Sequence, residues 1–200
     1  MNHPVDPAGR ADRFWDDWHA LLPEIAAALG DGEPHRVENQ LCDLVAALHP
    51  DLQFSMDRGI RAIYALVVSG QEDPALRPYT DAWKSAAPPD SAIWEFHDSV
   101  PPVPDPTEVT VNVGGHRVPL ADMRVFAQVD GDVVDVAVHH PVFKDVDEPT
   151  KTALTFLPLD ATLGERVAGE RLRRVETADV EPEGSIDLLA FRDLVHKLVD

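Results

Sequence analysis

Residues Pro101 to Pro106 read PPVPDP, four prolines in six positions at the midpoint of a 200-residue chain. Proline locks φ and has no N–H to donate, so neither a helix interior nor a central strand can run through this stretch. It reads as an extended linker and predicts two subdomains, 1–100 and 101–200, joined in one compact unit.

The first half opens with two helical patterns. Phe14, Trp18, Leu21 and Ile25 recur at three- and four-residue spacing, as do Val37, Leu41, Leu44 and Leu48, with Gly30, Asp31 and Gly32 as the break between them. Pro23 predicts a kink or a restart in the first helix. Cys42 lies beside the second stripe and is expected in the core. The period then changes. Leu52, Phe54 and Met56 alternate with polar residues, Arg58 and Gly59 mark a turn, and Arg61 to Ser69 reads as a longer strand. Asp73 is expected to cap a helix with Pro74 at its first position, running through Leu76, Tyr79 and Trp83 until Pro88 and Pro89. A strand from Ile93 to His97 follows, returning parallel to the second strand through a right-handed crossover.

The second half repeats that order of strand, strand, helix, strand from 123 to 177 after a preliminary hairpin. In that first hairpin Val109, Val111 and Val113 lead into Gly114-Gly115, and His116 and Val118 leave. Asp130-Gly131 is the stronger signal, and a two-residue loop there pairs Val129 with Asp132, Ala127 with Val134, Val125 with Val136 and Met123 with Val138. The same register sets Phe126 opposite Asp135 and Asp122 opposite His139. A helix is expected from about Thr150 to Leu163, with a kink or a late start implied by Pro158 and Gly164 at its C-terminal cap, then a strand from Arg173 to Thr177. Leu188, Phe191, Val195 and Leu198 mark a final helix. The fold class is therefore α+β. It comprises a mixed or antiparallel sheet from two strand-strand-helix-strand half-units, with an N-terminal helical pair and a C-terminal helix.

Charge limits function more than it defines it. The formal net charge is -19, spread evenly: residues 1–100 hold 17 acids and 7 bases, residues 101–200 hold 19 and 10. Such a surface repels phosphate backbones and anionic lipids, so nucleic acid and membrane are poor partners, while a basic protein is a fitting one. Only Arg171, Arg173 and Arg174 cluster, and the acids at Glu176, Asp179, Glu181 and Glu183 are expected to balance them. The excess of Arg over Lys, 13 to 4, fits a GC-rich bacterial source. One cysteine leaves no intrachain disulfide, the first residues lack a leader's basic start and apolar run, and the longest apolar stretch, Ile63 to Val68, is too short to span a bilayer. A cytoplasmic location is expected.

The residues able to carry chemistry are few. His97, His116, His139 and His140 fall near strand ends, and with Asp122 they are the candidate metal ligands, although adjacent His139 and His140 point to opposite faces of a regular strand. Asp122 beside His139 is also the candidate acid-base pair. No nucleophile elbow, phosphate loop or dinucleotide fingerprint occurs, and no cofactor is expected. Trp18 and Trp83 fit helical core stripes. Trp15, just off its stripe, and Trp94, expected to face the other side of the sheet, are candidate aromatic anchors for a partner.

Three segments carry a resemblance: FWDDW (Phe14 to Trp18), AAPPDSAIWEFHDSVPP (Ala86 to Pro102) and LDATLGE (Leu159 to Glu165). They are similar to a family of uncharacterised bacterial proteins that combine a Trp-rich first helix, a WEF strand leading into Pro-Pro and an LDxxLGE segment. The resemblance implies a stand-alone bacterial domain and brings no catalytic residue. Asp160, Gly164 and Glu165 match its last segment, and Asp160 and Glu165 join the candidate partner contacts. The leading expectation is a non-catalytic interaction module, in its sharper form an acidic inhibitor-like protein that blocks a basic partner. The alternative is a small-molecule or metal-dependent enzyme using Asp122, His139 and nearby histidines.

Overall fold

The computed structural model describes residues 6–198; Met1 to Val5, part of the segment read for a leader, lie outside them. The chain divides into two compact units, Met1–Val100 and Pro101–Asp200.

In the first unit, α1 (Pro7–Gly30) starts where the Asp6 carboxylate accepts from the Ala8 N–H. It runs on through Pro23 without restarting, because Pro23 lies on the exposed face, where the His19 carbonyl that lacks an N–H partner meets water. A short 3-10 turn at Pro34–Val37 leads into α2 (Glu38–Leu48), whose last carbonyl, at Leu48, accepts from the Arg10 guanidinium of α1 at 3.1 Å. The strands β1 (Gln53–Arg58) and β2 (Tyr64–Ser69) pair antiparallel, α3 (Arg77–Ser85) crosses over, and β3 (Trp94–His97) returns parallel to β2. The sheet order is β1-β2-β3. Two boundaries differ from expectation. Pro78 brings no N–H to continue a helix from upstream and fits without cost in a first turn, so α3 begins at Arg77, and Asp73 instead accepts from Ala75 N–H in the preceding turn. β2 begins at Tyr64 because the N–H groups of residues 60–62 turn to the Glu95 carboxylate.

Phe54, Met56, Leu66, Val68, Trp94 and Phe96 share the sheet face that packs on the helices, closing a core around Phe14, Trp15, Trp18 and Trp83. The rings of this core meet edge-on and offset: Trp18 lies 5.1 Å from Trp94, and Trp15 lies 4.9 Å from Phe96. The Trp15 indole N–H donates to the Trp83 carbonyl at 2.8 Å, so the one polar atom of that ring is satisfied inside the core.

In the second unit β4 (Thr110–Val113) and β5 (His116–Pro119) form a hairpin on their own, and β6 (Arg124–Asp130), β7 (Val133–His139) and β8 (Leu172–Thr177) form a second three-stranded sheet. Among the described residues the strands therefore make three small sheets. β6 and β7 are antiparallel and β8 is parallel to β7, joined by α4 (Glu148–Leu163) and α5 (Glu165–Arg171), the latter unforeseen in the sequence. The final helix, α6 (Leu188–His196), is capped by Asp187. Val125, Val134, Val136, Val138, Leu154, Leu159, Phe191 and Val195 are among the side chains of its core.

The proline segment is less free than a linker. Val103 N–H donates to Ala161 carbonyl at 2.9 Å, and the Arg192 guanidinium of α6 donates to the carbonyls of Val103, Pro104 and Thr162 at 2.6 to 2.8 Å. The proline segment is thus fastened to the second unit from Val103 onward.

Gly114 is the tightest point of that unit. It turns the first hairpin at φ 59°, and a Cβ there would stand 2.2 Å from the buried Thr150 Oγ1 at the start of α4, whereas Gly115, at φ 79°, has open space. Gly115→Ala is expected to cost about 1 kcal/mol of unfolding free energy from backbone strain alone. Gly114→Ala adds overpacking and is expected to cost about 2–3 kcal/mol, the difference being read from paired denaturant titrations.

Candidate functional site

The second hairpin does not bring Asp122 to His139. Its loop is Gly131-Asp132, with Asp130 paired to Val133 and Val129 to Val134, so every partner moves by two residues from the expected register. Gly131 holds φ 65° at the first loop position, the requirement of a II′ turn, and this favours Gly-Asp over Asp-Gly as the loop. Arg124 lies opposite His139, and Asp122 ends a 3-10 turn before the strand begins. Phe126 faces Ala137, and Asp135 faces Gln128.

Three of the four candidate histidines, His97, His139 and His140, hold local partners. His139 Nδ1 lies 2.9 Å from the Ala178 carbonyl. His140 is buried, accepts from Val142 N–H at Nδ1 and donates from Nε2 to the Pro119 carbonyl; burial pushes its pKa below the ordinary value, which keeps it neutral. His116 sits in the first hairpin, and His97 belongs to the first unit, where its Nε2 meets Glu95 at 2.9 Å. Among the described residues no group of three or more His, Cys, Asp or Glu is placed to hold a metal ion.

The aromatic candidates are core residues. Trp15 and Trp94 are buried, and Trp94 lies on the same sheet face as Phe96 because residues two apart along a strand share a side. Asp160 is exposed near the end of α4, and Glu165 is the first residue of α5, so the two stand at the join around Gly164. The arginines are balanced by other acids than those expected. Arg173 holds Asp135 through two contacts at 2.7 and 3.0 Å and Asp130 at 2.7 Å, Arg171 meets Asp132, and only Arg174 pairs with Glu176. The hydrogen bonds from Arg173 hold the Asp135 carboxyl below its usual range.

Glu95, unremarked in the sequence, is the most unusual titratable group in the first unit. It is 1% exposed on β3, yet its carboxylate accepts from the N–H groups of Ile60, Arg61 and Ala62 at 2.8 to 2.9 Å and from His97. Burial alone would raise its pKa, but these four hydrogen bonds outweigh that and hold it at about 2. The carboxylate organises the loop between β1 and β2, on which Ile60 and Ile63 stand exposed.

Two concavities lie on the first unit, and the second of them reaches that loop. One, of about 700 Å³, runs between α2 and β1 and is lined by Leu41, Cys42, Val45 and Ala46 on the helix and by Phe54 and Met56 on the strand. The other, of about 750 Å³, shares Pro34 and Met56 with it and continues past Asp57 and Arg58 to Ile63. Cys42 is exposed here rather than in the core: α2 turns the Leu41, Leu44 and Leu48 stripe inward, and the next residue round the helix faces the groove.

The two edges of the first sheet differ. On β3 the outward groups are closed by the chain itself: the Trp94 N–H donates to Ser91 Oγ and its carbonyl accepts from Ser91 N–H, while the Phe96 N–H donates to Asp90 and its carbonyl accepts from Lys84. On β1, Gly59 N–H donates to Ile63 carbonyl, and antiparallel alternation then turns the N–H and C=O of Phe54, Met56 and Arg58 away from β2. Among the described residues no strand pairs with that side.

Comparison with protein-family models, with curated proteins and with solved structures finds no match to this chain. Among the described residues no helix is long and apolar enough to cross a membrane.

Proposed function

We propose that this chain is a non-catalytic protein-interaction module that holds a partner in the groove between α2 and β1. The observation that carries the reading is the contrast between the sheet edges. Side chains and a loop cap β3, whereas the outward backbone of β1 lies open beside a groove lined by apolar residues. An uncovered edge of this kind is a liability unless it is used.

The test compares the native protein with Ala46→Arg, which places a long cation at an exposed groove position without disturbing the core. Both are used as bait against extract from the source cell. A partner retained by the native chain and lost by the variant supports the module reading. Partners held equally by both, or none at all, would remove the groove from it.

A further inference from the structure

The groove has a backbone side as well as an apolar side, and together they specify what can fill it. Phe54, Met56 and Arg58 each turn one N–H and one C=O outward from β1, six hydrogen-bonding groups in strand geometry. At about 6.8 Å between alternate residues, these three positions match a strand of about five residues. A helix laid in the groove would satisfy its own backbone and leave those six groups to water, whereas an extended segment pairs with them directly.

Side chains set the second requirement. Leu41, Val45, Phe54 and Met56 line the wall that alternate residues of an added strand would face. Charge sets the third. The first 100 residues carry 17 acids against 7 bases and Glu38 lines the groove; on its continuation Asp57 stands exposed beside Arg58, and Arg61 is held by Asp90 at 2.8 Å. A second copy of the chain would bring another -19 to the same edge, so self-pairing through β1 is opposed by repulsion, while a cationic segment is drawn in.

Resting on the interaction-module reading, we propose that the groove accepts an extended cationic segment of a partner protein. It adds beside β1 as a fourth strand, with apolar side chains at alternate positions toward α2 and Lys or Arg at the others.

Cys42, the only cysteine of the chain, lines the groove and is exposed, so its alkylation rate reports occupancy. The experiment uses the full chain and fluorescein-labelled heptapeptides of alternating Val and Lys. Binding is followed by anisotropy at low and high salt and by protection of Cys42 from iodoacetamide. The alternating peptide is expected to bind, to slow Cys42 alkylation, and to weaken as salt rises. N-methylation at the alternate positions that face β1 should lower affinity at least about tenfold, the loss expected for a missing backbone hydrogen bond, while methylation at the intervening positions should leave it nearly unchanged. A Val/Glu peptide should not bind, and Ala46→Arg should lose the Val/Lys peptide.

Equal tolerance of N-methylation at both sets of positions would overturn strand addition. Equal binding of Val/Glu and Val/Lys peptides would overturn the charge requirement. Concentration-dependent protection of Cys42 without peptide, together with a dimer in sedimentation, would assign the edge to a second copy and end the proposal. If no peptide binds while extract still yields a partner sensitive to Ala46→Arg, the module reading stands and the cationic-strand proposal fails.

Discussion

Glu95→Ala is expected to lower the unfolding free energy of the first unit by about 3 kcal/mol at neutral pH. The substitution leaves the part-buried N–H groups of Ile60, Arg61 and Ala62 without their acceptor, each loss costing on the order of 1 kcal/mol, the low end of the range for an orphaned donor. The carboxylate's pKa falls from 4.5 to about 2 on folding, a shift worth about 3 kcal/mol by linkage. Because the folded value is the lower one, this stabilisation is complete above the unfolded pKa and is lost as pH falls through the range from 4.5 toward 2. Urea titrations of native protein and Glu95→Gln at pH 7, 4 and 3 check it. The gap between them should close toward acid, and a gap independent of pH would show that the charge plays no part. Hydrogen exchange should place the loosening in residues 59–63, the loop that carries Ile60 and Ile63.

The largest loss is expected from Trp18→Ala, about 4 kcal/mol, since truncating a buried aromatic costs about 3–5 kcal/mol. Trp18 is 1% exposed and sits among Phe14, Trp15, Trp94 and Phe96, with ring centroids 5.1 to 6.4 Å away. No neighbour can fill the space, because each is fixed by its own helix or strand. All four tryptophans, at 15, 18, 83 and 94, lie in the first unit, so intrinsic tryptophan fluorescence follows that unit specifically. A guanidinium midpoint within error of the native protein's would refute this account of the core.

Much of the architecture was legible because the signals are local. The stripes Phe14, Trp18, Ile25 and Leu41, Leu44, Leu48 announce α1 and α2, and the alternation at Phe54 and Met56 announces β1. Gly164 announces the end of α4. The parallel return of β3 on β2 followed from connection rules alone. The elements missed or misplaced have local explanations of their own: α5 is only seven residues and lacks a periodic stripe, and α3 waits for Pro78. The candidate site was less legible. The Asp130-Gly131 turn sets Asp122 opposite His139, two residues off the true register, and Trp15 and Trp94, off the helical stripe and across the expected sheet, belong to the packed core.

The register error shows where sequence stops. Slipping a strand by one residue would turn its apolar set to the wrong face, and hydrophobic pattern forbids it; slipping by two leaves every face unchanged, and pattern cannot detect it. Only the turn geometry at Gly131 decided which residue met His139. By itself, then, the sequence determined the kinds and order of most elements, the apolar face of each and the acidity of the surface, since these depend on side-chain period and composition. Tertiary structure decided that Glu95 holds residues 60–62, that Cys42 faces a groove, and that one sheet edge is capped while the other stays open. The first is a meeting of residues distant along the chain, and all three are fixed by how elements pack rather than by any local period.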